Sequence, residues 1–236
     1  MKNNRSSTWV SAVAGGLVGA LLVAAILLFA VPQWYGQRVV RSGMLSDPQI
    51  LVETADLLKA TQYAPTIKAN RAGIETPFAS AWKGAAKPDV VLVEFYDYAC
   101  PYCKASNPHL ERLIREDKGL RVVFRELPIL GQDSYVAARL SLAAARAGKF
   151  QQFHDAMWAA GRPGPETINT AAKAAGITAD QTKGADIDAE LNRNQQLASQ
   201  LGATGTPLFV VGDRVMNSAV GYEQLKKAVA EARAKS

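Results

Sequence analysis

The chain has 236 residues, 48% hydrophobic and 20% charged, so it is long enough for one or two globular units and too apolar for a disordered or collagen-like protein. Its 27 basic and 21 acidic side chains give a net charge of +6, but basic and acidic residues are interleaved, which argues against nucleic-acid binding. Only two cysteines are present, which excludes a scaffold of several disulfides and a four-cysteine zinc site.

The first predicted element is a membrane anchor. Residues 9–31 include no charged side chain and as a helix would extend about 34 Å, enough to cross a bilayer. A cleaved signal peptide is the alternative, but its apolar core is usually shorter, and aromatic residues at both ends of this run favour a retained span. We therefore expect a cytoplasmic tail over residues 1–8 and a transmembrane anchor over residues 9–31.

Residues 32–88 are predicted to form a helical stalk followed by a linker. Residues 43–61 fit a short helix, with Pro48 in its first turn and apolar side chains at helical spacing. Prolines and glycines, beginning with Pro65, then recur up to residue 88 and indicate a connecting segment. The helix is too short to be stable alone, so we expect it to pack on the following domain or against copies of itself in a homo-oligomer.

The main domain is predicted to occupy residues 89–236. Residues 90–95 form a nearly continuous β-branched and aromatic run, typical of a strand buried on both faces. A helical pattern then ends near Asp117, and a second strand is predicted over residues 121–127. Because strand, helix and strand follow one another, we expect a crossover unit and an α/β fold.

The rest of this domain is predicted to be helical apart from one hairpin. Residues 132–201 carry apolar stripes at helical spacing, broken at glycines. Two short strands over residues 208–211 and 214–216, joined by a Gly-Asp pair, fit a hairpin. A last helix is predicted from Gly221.

The two cysteines stand one helical turn apart directly after the first strand of the main domain. Pro101 is tolerated at the first position of a helix, so Cys100 is predicted at the helix N-terminus, where free backbone N–H groups and the helix dipole stabilise a thiolate. We therefore expect Cys100 to be an exposed nucleophile. Cys103 shares a stripe with apolar residues of the same helix, which predicts a buried, resolving thiol close enough for a disulfide.

A metal site is the alternative for this cysteine pair. It would need two further ligands, and the only histidines are His109 and His154. His109 lies about 180° and 240° around the helix from the two cysteines, so its ring is not expected to converge with them. Both histidines are instead interpreted as surface or boundary residues, and no metal or other cofactor is expected.

Three further features point to the same site. Glu94 interrupts the apolar strand six residues before Cys100, and a buried carboxyl there would have a raised pKa and could exchange a proton with a thiol. A solvated glutamate at a sheet edge is the alternative. Pro108 is expected to kink the helix after the cysteines. Thr206 and Pro207 precede an apolar strand, where a cis peptide bond could hold the chain extended beside the site.

Together these motifs resemble the thioredoxin superfamily, and within it the DsbA-like thiol-disulfide oxidoreductases. The resemblance rests on the sequence VLVEFYDYACPYCK of residues 91–104, on Pro108, and on the Gly-Thr-Pro of residues 205–207. It covers the chain from residue 89 onward. It implies a thioredoxin fold in which the helical region of about residues 132–201 is an insertion between the two halves of the core.

The resemblance also implies roles for individual residues. In this family the first cysteine attacks, the second resolves, and a buried acid lies at the position of Glu94. Catalytic roles are therefore expected for Cys100, Cys103 and Glu94, with the two cysteines forming a redox-active disulfide. The residues expected to bind substrate are Thr206, Pro207, Pro101 and Tyr102.

Two features leave the function less defined. Residues 46–73 look similar to the N-terminal segment of the ScsC-type members of the family, some of which oligomerise through it. The dipeptide between the cysteines is Pro-Tyr, whereas the strongly oxidising DsbA proteins carry Pro-His. The direction of electron flow is therefore open between forming, reshuffling and reducing disulfides.

The leading interpretation is a single-pass inner-membrane oxidoreductase with its catalytic domain in the periplasm. It would form or reshuffle disulfides in exported proteins, with a redox partner in the membrane and no nucleic-acid partner. Cleavage of the first segment would instead release it into the periplasm. The alternatives are a disulfide reductase, a copper-binding or copper-tolerance protein that uses the same thiols, and a structural adaptor whose redox pair is dispensable.

Overall fold

The computed structural model describes residues 31–235. The predicted tail and, except for Val31, the predicted anchor lie outside these residues. Over residues 31–235, no helix combines the length and the hydropathy that a membrane span requires.

The described chain divides into two compact units, one ending at Asp56 and the other beginning at Leu57. The first unit consists of helix α1 (Val31–Ser46) and the first turns of helix α2 (Gln49–Glu75). Large apolar side chains are exposed on this unit. They include Tyr35, Val39, Val40, Met44, Leu45, Ile50 and Leu51.

Helix α2 is longer than the sequence pattern predicts. The short helix over residues 43–61 is wrong, because one helix ends at Ser46 and the next continues through Pro65 to Glu75. An interior proline costs a helix about 3 kcal/mol. Full burial of Ile67 and Ile74 contributes roughly 1.5–3 kcal/mol each, which is enough to offset that cost.

A five-stranded sheet forms the centre of the second unit, in the order β1-β3-β2-β4-β5. Its strands are β1 (Trp82–Gly84), β2 (Val90–Tyr96), β3 (Leu120–Glu126), β4 (Leu208–Val211) and β5 (Arg214–Met216). Strands β2 and β3 are parallel and are joined through helix α3 (Pro101–Glu116), as predicted. The predicted hairpin is also present as antiparallel β4 and β5. Strand β1 lies in the segment that the sequence assigned to a connection, and it pairs antiparallel with β3.

The predicted helical region is confirmed and folds as an insertion between β3 and β4. It contains α4 (Gln132–Arg146), α5 (Phe150–Ala160), α6 (Pro165–Ala175), a short 3₁₀ turn (Ala179–Thr182) and α7 (Ala185–Gln200). The last helix, α8 (Tyr222–Arg233), follows the hairpin. The second unit therefore has a thioredoxin-like α/β fold with a helical insertion.

The two faces of the sheet are covered by different helices. On one face, called the α3 face, side chains such as Leu92 and Phe124 pack with α3, α8 and the insertion helices α4–α6. On the other, called the α2 face, side chains such as Val93 and Phe95 pack against α2 and the end of α7. Because neighbouring residues of a strand point to opposite faces, Glu94 belongs to the α3 face.

Arg125, on β3, lies on the α2 face and is almost fully buried. Its Nε donates to the carbonyl of Ile74 at 2.9 Å, and its Nη2 donates to the carbonyls of Gly73 and Thr76. Its Nη1 donates to Glu190 Oε1 and to the Asn194 side-chain oxygen, both at 2.8 Å. All five N–H groups of the guanidinium are thus paired, and three of them bind carbonyls at the end of α2.

Candidate active site

Cys100 lies at the N-terminus of α3, as predicted. Strand β2 ends at Tyr96, and a turn closed by the Cys100 N–H donating to the Asp97 carbonyl at 3.0 Å leads to the cysteine. Cys100 itself is the N-cap with an extended backbone, and Pro101 occupies the first helical position. The free N–H groups of the first turn of α3 therefore lie next to this residue.

Both cysteines are buried thiols, which differs from the prediction for Cys100. Cys100 is 4% exposed because its Sγ lies under the Thr206–Pro207 segment and donates to the Thr206 carbonyl at 3.2 Å. Cys103 is fully buried, as its apolar stripe predicts, and burial followed by the nearby Glu94 carboxylate raises the pKa of its thiol. Exchange with a large thiol would therefore require approach to the small part of Cys100 that remains exposed.

The predicted cis peptide bond is present between Thr206 and Pro207. Strand β4 begins at the next residue, Leu208, which pairs with Phe95 near the end of β2. Because β2 and β4 are antiparallel, the start of β4 lies at the sheet edge where β2 ends. This register brings the Thr206 carbonyl to Cys100, although the two residues are 106 apart in the sequence.

Glu94 is buried in the central strand of the sheet, so the interpretation as a solvated edge residue is wrong. Burial, followed by the electrostatic effect of Cys100, raises the pKa of its carboxyl from 4.5 to about 8. Within the described residues, its Oε1 has no hydrogen-bond partner. A carboxyl in this state can carry a proton near neutral pH beside the two sulfurs.

The four residues expected to bind substrate differ in how exposed they are. Tyr102 is 65% exposed and Pro101 is also exposed, whereas Thr206 is partly buried and Pro207 is buried. Of these four residues, Thr206 contacts the sulfur of Cys100 through its carbonyl, and Tyr102 offers an exposed ring two residues further along the chain.

Asp97 is a site residue that the sequence analysis missed. Its buried carboxylate accepts from the Ala99 N–H at 2.7 Å and from the N–H groups of Ile129 and Leu130 at 2.8 and 2.9 Å. It therefore ties the turn before Cys100 to the loop after β3, whose two apolar side chains are exposed. A carboxylate that follows a buried strand directly before a reactive cysteine is the signal that could have found it.

The two histidines have different environments. His109 is partly buried on α3, whereas His154 on α5 is fully buried, so its interpretation as a surface or boundary residue is wrong. The signal was present, because His154 stands four residues after Phe150 and four before Trp158, on the buried face of the helix.

The described residues, 31–235, contain no cluster of three or more histidine, cysteine, aspartate or glutamate side chains suited to a metal ion. What they do bring together is a cysteine at a helix N-terminus, a second thiol one turn further and a buried carboxyl with a raised pKa. These groups suit exchange between a dithiol and a disulfide, since that chemistry needs a stabilised thiolate and a proton for the departing sulfur.

Several solved structures are similar to this chain. A periplasmic thioredoxin-like protein from Salmonella enterica serovar Typhimurium is 32% identical, with a TM-score of 0.64 over 70% of this chain and 95% of that one. The thiol-disulfide exchange protein alpha-DsbA2 from Wolbachia pipientis is 28% identical, with a TM-score of 0.67 over 74% and 97% of the two chains. ScsC from Proteus mirabilis, in a transitional conformation, is 29% identical, with a TM-score of 0.67 over 86% and 96%.

The curated relatives that match are longer proteins. The Na⁺/H⁺ antiporter NhaA 1 of Salinispora arenicola is 30% identical over 160 residues, which are 64% of this chain and 24% of the relative. The chain therefore spans about a quarter of the length of that relative, and the match concerns a part of it.

The family comparison agrees with the geometry of the site. The family model of the DSBA-like thioredoxin domain matches residues 91–230, which include β2, both cysteines, the insertion and the Thr206–Pro207 bond. The chain thus belongs to the DSBA-like thioredoxin domain family.

Proposed function

We propose that this protein is a membrane-anchored, periplasm-facing oxidoreductase that forms or reshuffles disulfides in exported proteins through Cys100 and Cys103. The observation that carries the proposal is the position of Cys100 at the start of α3, with its Sγ 3.2 Å from the Thr206 carbonyl and Cys103 one turn away. That position makes Cys100 the sulfur that a client can reach and that the helix terminus stabilises as a thiolate.

In the oxidising direction, a client thiolate attacks Cys100 Sγ of the Cys100–Cys103 disulfide. The bond between the two cysteines breaks, a mixed disulfide forms, and the electron pair leaves on Cys103. Because the pKa of Cys103 is raised, its sulfur takes up a proton, for which Glu94 is the buried donor. A second client thiolate then attacks the mixed disulfide at the client sulfur, so the client leaves oxidised and Cys100 leaves as a thiolate.

We assign client contact to the rim of the site. Thr206 and Pro207 would present an extended backbone segment, and Pro101 and Tyr102 would present exposed side chains beside Cys100. Each turnover leaves the protein with two thiols, so a membrane redox partner has to accept two electrons before the next client is oxidised.

The test is oxidative refolding of reduced ribonuclease and repair of scrambled ribonuclease by the full-length protein. We expect both activities in the wild type, none in Cys100→Ser, and an accumulating mixed disulfide with client in Cys103→Ser. Equilibration with glutathione gives the direction of electron flow, because a potential near that of thioredoxin would favour the reductase. Wild-type activity in Cys100→Ser would refute the assignment.

The membrane location rests on the uncharged run over residues 9–31 and on the similarity to a periplasmic protein. We expect the protein to stay with membranes after alkaline carbonate extraction, and its catalytic domain to be digested by protease added to spheroplasts. Recovery in the soluble fraction, shortened at its N-terminus, would support signal cleavage instead.

Self-association is proposed for the first unit, where apolar side chains such as Val39 and Leu45 are exposed. An anchor would raise the local concentration of copies and favour even a weak interface. Light scattering should detect an oligomer that Val39→Lys with Leu45→Lys dissociates, while dithiol oxidation is retained. A monomeric wild type at high concentration would refute self-association and leave the redox proposal standing.

A further inference from the structure

A buried hydrogen-bond chain connects the insertion to the turn before Cys100. On α5, Trp158 Nε1 donates to His154 Nε2 at 3.0 Å. The other ring nitrogen, His154 Nδ1, lies 3.0 Å from the hydroxyl oxygen of Tyr98. Tyr98 is one of the two central residues of the turn closed by the Cys100 N–H. The proposed mechanism makes no use of this chain.

Geometry alone fixes the position of the proton on His154. The indole N–H of Trp158 can only donate, so His154 Nε2 has to be an unprotonated acceptor. A neutral imidazole carries one N–H, which therefore sits on Nδ1 and donates to the oxygen of Tyr98. Full burial, with a further contribution from Lys83, lowers the pKa of His154 and keeps the ring neutral.

The hydroxyl of Tyr98 is thus held as an acceptor by His154, and its own proton goes to a different partner. Ser141 Oγ, at 3.1 Å, is in range to accept this proton. The Tyr96 hydroxyl, in contrast, donates to the oxygen of Tyr98 at 3.0 Å and also bonds to Glu126. Contacts of the His154 ring with Phe124 and Phe150, at centroid distances of 4.5 and 4.9 Å, hold the ring in one orientation. The hydroxyl of Tyr98 is therefore held by groups from three elements of the second unit, namely α4, α5 and β2.

The backbone of this turn decides where Cys100 sits. Ala99 N–H donates to the Asp97 carboxylate and Cys100 N–H donates to the Asp97 carbonyl, so the four residues from Asp97 to Cys100 form one rigid turn. With its tip anchored, Tyr98 sets the orientation of this turn relative to α3. A thiolate gains from the N–H groups of a helix terminus only when its sulfur is directed at them.

We propose that His154 is a positioning residue for the dithiol: its Nδ1–H holds Tyr98, and through Tyr98 it fixes the turn that directs Cys100 at the N-terminus of α3. This inference rests on the proposed function, because it concerns how the same dithiol is held. The insertion is then part of the redox machinery.

The test compares reduction equilibria of three full-length variants with the wild type. In glutathione buffers, the protein disulfide and two glutathione thiols give the protein dithiol and one glutathione disulfide. His154→Leu removes the donor to Tyr98, so the equilibrium constant should move toward the protein disulfide by about threefold, the size of a helix-terminus interaction. His154→Asn keeps an amide donor near the Nδ1 position and should restore most of the wild-type value.

Tyr98→Phe should shift the constant as far as His154→Leu does, and the double variant should shift it no further, because both act through one hydrogen bond. Additive shifts, or a wild-type constant in a folded His154→Leu protein, would overturn the inference. If His154→Leu fails to fold, nitrogen-15 NMR of the wild-type ring decides. A proton on Nδ1 and a bare Nε2 between pH 5 and 8 support the inference, and an Nε2–H or charged ring rejects it.

Failure of the proposed function gives a different result. A wild type that does not equilibrate with glutathione, or that behaves as Cys100→Ser does, would reject the dithiol mechanism and this inference together. If the wild type is active but substitution of His154 does not change the equilibrium constant with glutathione, only this inference is rejected.

Discussion

Two buried ionisable side chains lie on opposite faces of the same sheet, and they differ in how many hydrogen-bond partners they have. Arg125, on the α2 face, uses all five of its N–H groups and pairs with Glu190. Glu94, on the α3 face, has a carboxyl oxygen without a partner in the described part of the chain. A buried ion with complete partners holds elements together, whereas a buried acid left short of them keeps its proton near neutral pH.

The two faces of the sheet therefore have different roles: Arg125 contributes to stability, and Glu94 belongs to the redox site. Strands β2 and β3 pair over seven residues, so the two sites are only about one strand spacing apart. The face with Arg125 fixes where α2 ends, and the face with Glu94 meets the two sulfurs. Variants of each site should therefore change one property and spare the other.

The largest expected effect is on exchange activity. Cys100→Ser should lower thiol-disulfide exchange by at least roughly a thousandfold, because a hydroxyl cannot form the mixed disulfide. Its urea unfolding midpoint should stay close to that of the reduced wild type, since the side chain changes by one atom. Activity within tenfold of the wild type would contradict the assignment of Cys100.

Next in size is the effect of Arg125 on stability. Arg125→Met should lower the free energy of unfolding by about 3–5 kcal/mol, because Glu190 is left buried and unpaired. Exchange activity per folded molecule should remain near that of the wild type. The matched control is Arg125→Met with Glu190→Leu, which removes both charges and should recover part of the loss. Equal stability of the single and double variants would mean that the unpaired charge of Glu190 is not the cause of the lost stability.

Glu94 should give stability a dependence on pH. Its pKa is about 8 in the folded protein and 4.5 as an ordinary glutamate, so between these values the folded state keeps a proton that the unfolded state has released. Stability should therefore fall as pH rises from about 4.5 to about 8, and level off above.

Glu94→Gln should reduce this slope and leave the part that comes from Glu126, whose buried carboxyl also has a raised pKa. Urea unfolding at a series of pH values measures the change. Glu223→Gln, which neutralises an exposed glutamate on α8, should leave the slope in place. A slope that is unchanged in Glu94→Gln would assign the pH dependence to other groups, Glu126 among them.

The smallest expected effect concerns the interaction between Cys100 and Glu94. The electrostatic effect of Cys100 is the second cause of the raised pKa of Glu94, after burial. In Cys100→Ser a hydroxyl that does not ionise replaces the thiol, so the upper end of the stability slope should move to lower pH while the lower end stays near 4.5. Cys103→Ser is the control that keeps Cys100. An unmoved upper end would mean that burial alone raises the pKa of Glu94.

Local patterns were sufficient for much of the fold. The apolar run of β2, the glycine-aspartate hairpin and Pro101 at the start of α3 each follow from a few neighbouring residues, and all three are confirmed. The prediction that a helix ends before Pro65 was wrong. Burial of Ile67 and Ile74 against a sheet formed by later residues outweighs the local tendency of proline to end a helix.

The site was predictable where its residues are close in sequence. The position of Cys100 and the burial of Glu94 follow from β2 and the helix after it. The burial of Cys100 does not, because the Thr206 carbonyl that covers it comes from 106 residues further along the chain. The carbonyl partners of Arg125 could not be predicted either, since no sequence pattern indicates which helix end an arginine on a strand will bind.

The contacts of Arg125 also determine how the second unit responds to mechanical load. Tension on the Glu75 end of α2 would be transmitted to β3 through the guanidinium, and in part to the β4–β5 hairpin through the Arg71–Asp213 ion pair. From β3 it is shared along seven paired residues with β2 before it reaches the cysteines. Pulling at the N-terminal side of this unit should thus strain the sheet as a whole and leave the spacing of the two sulfurs unchanged until the sheet itself gives way.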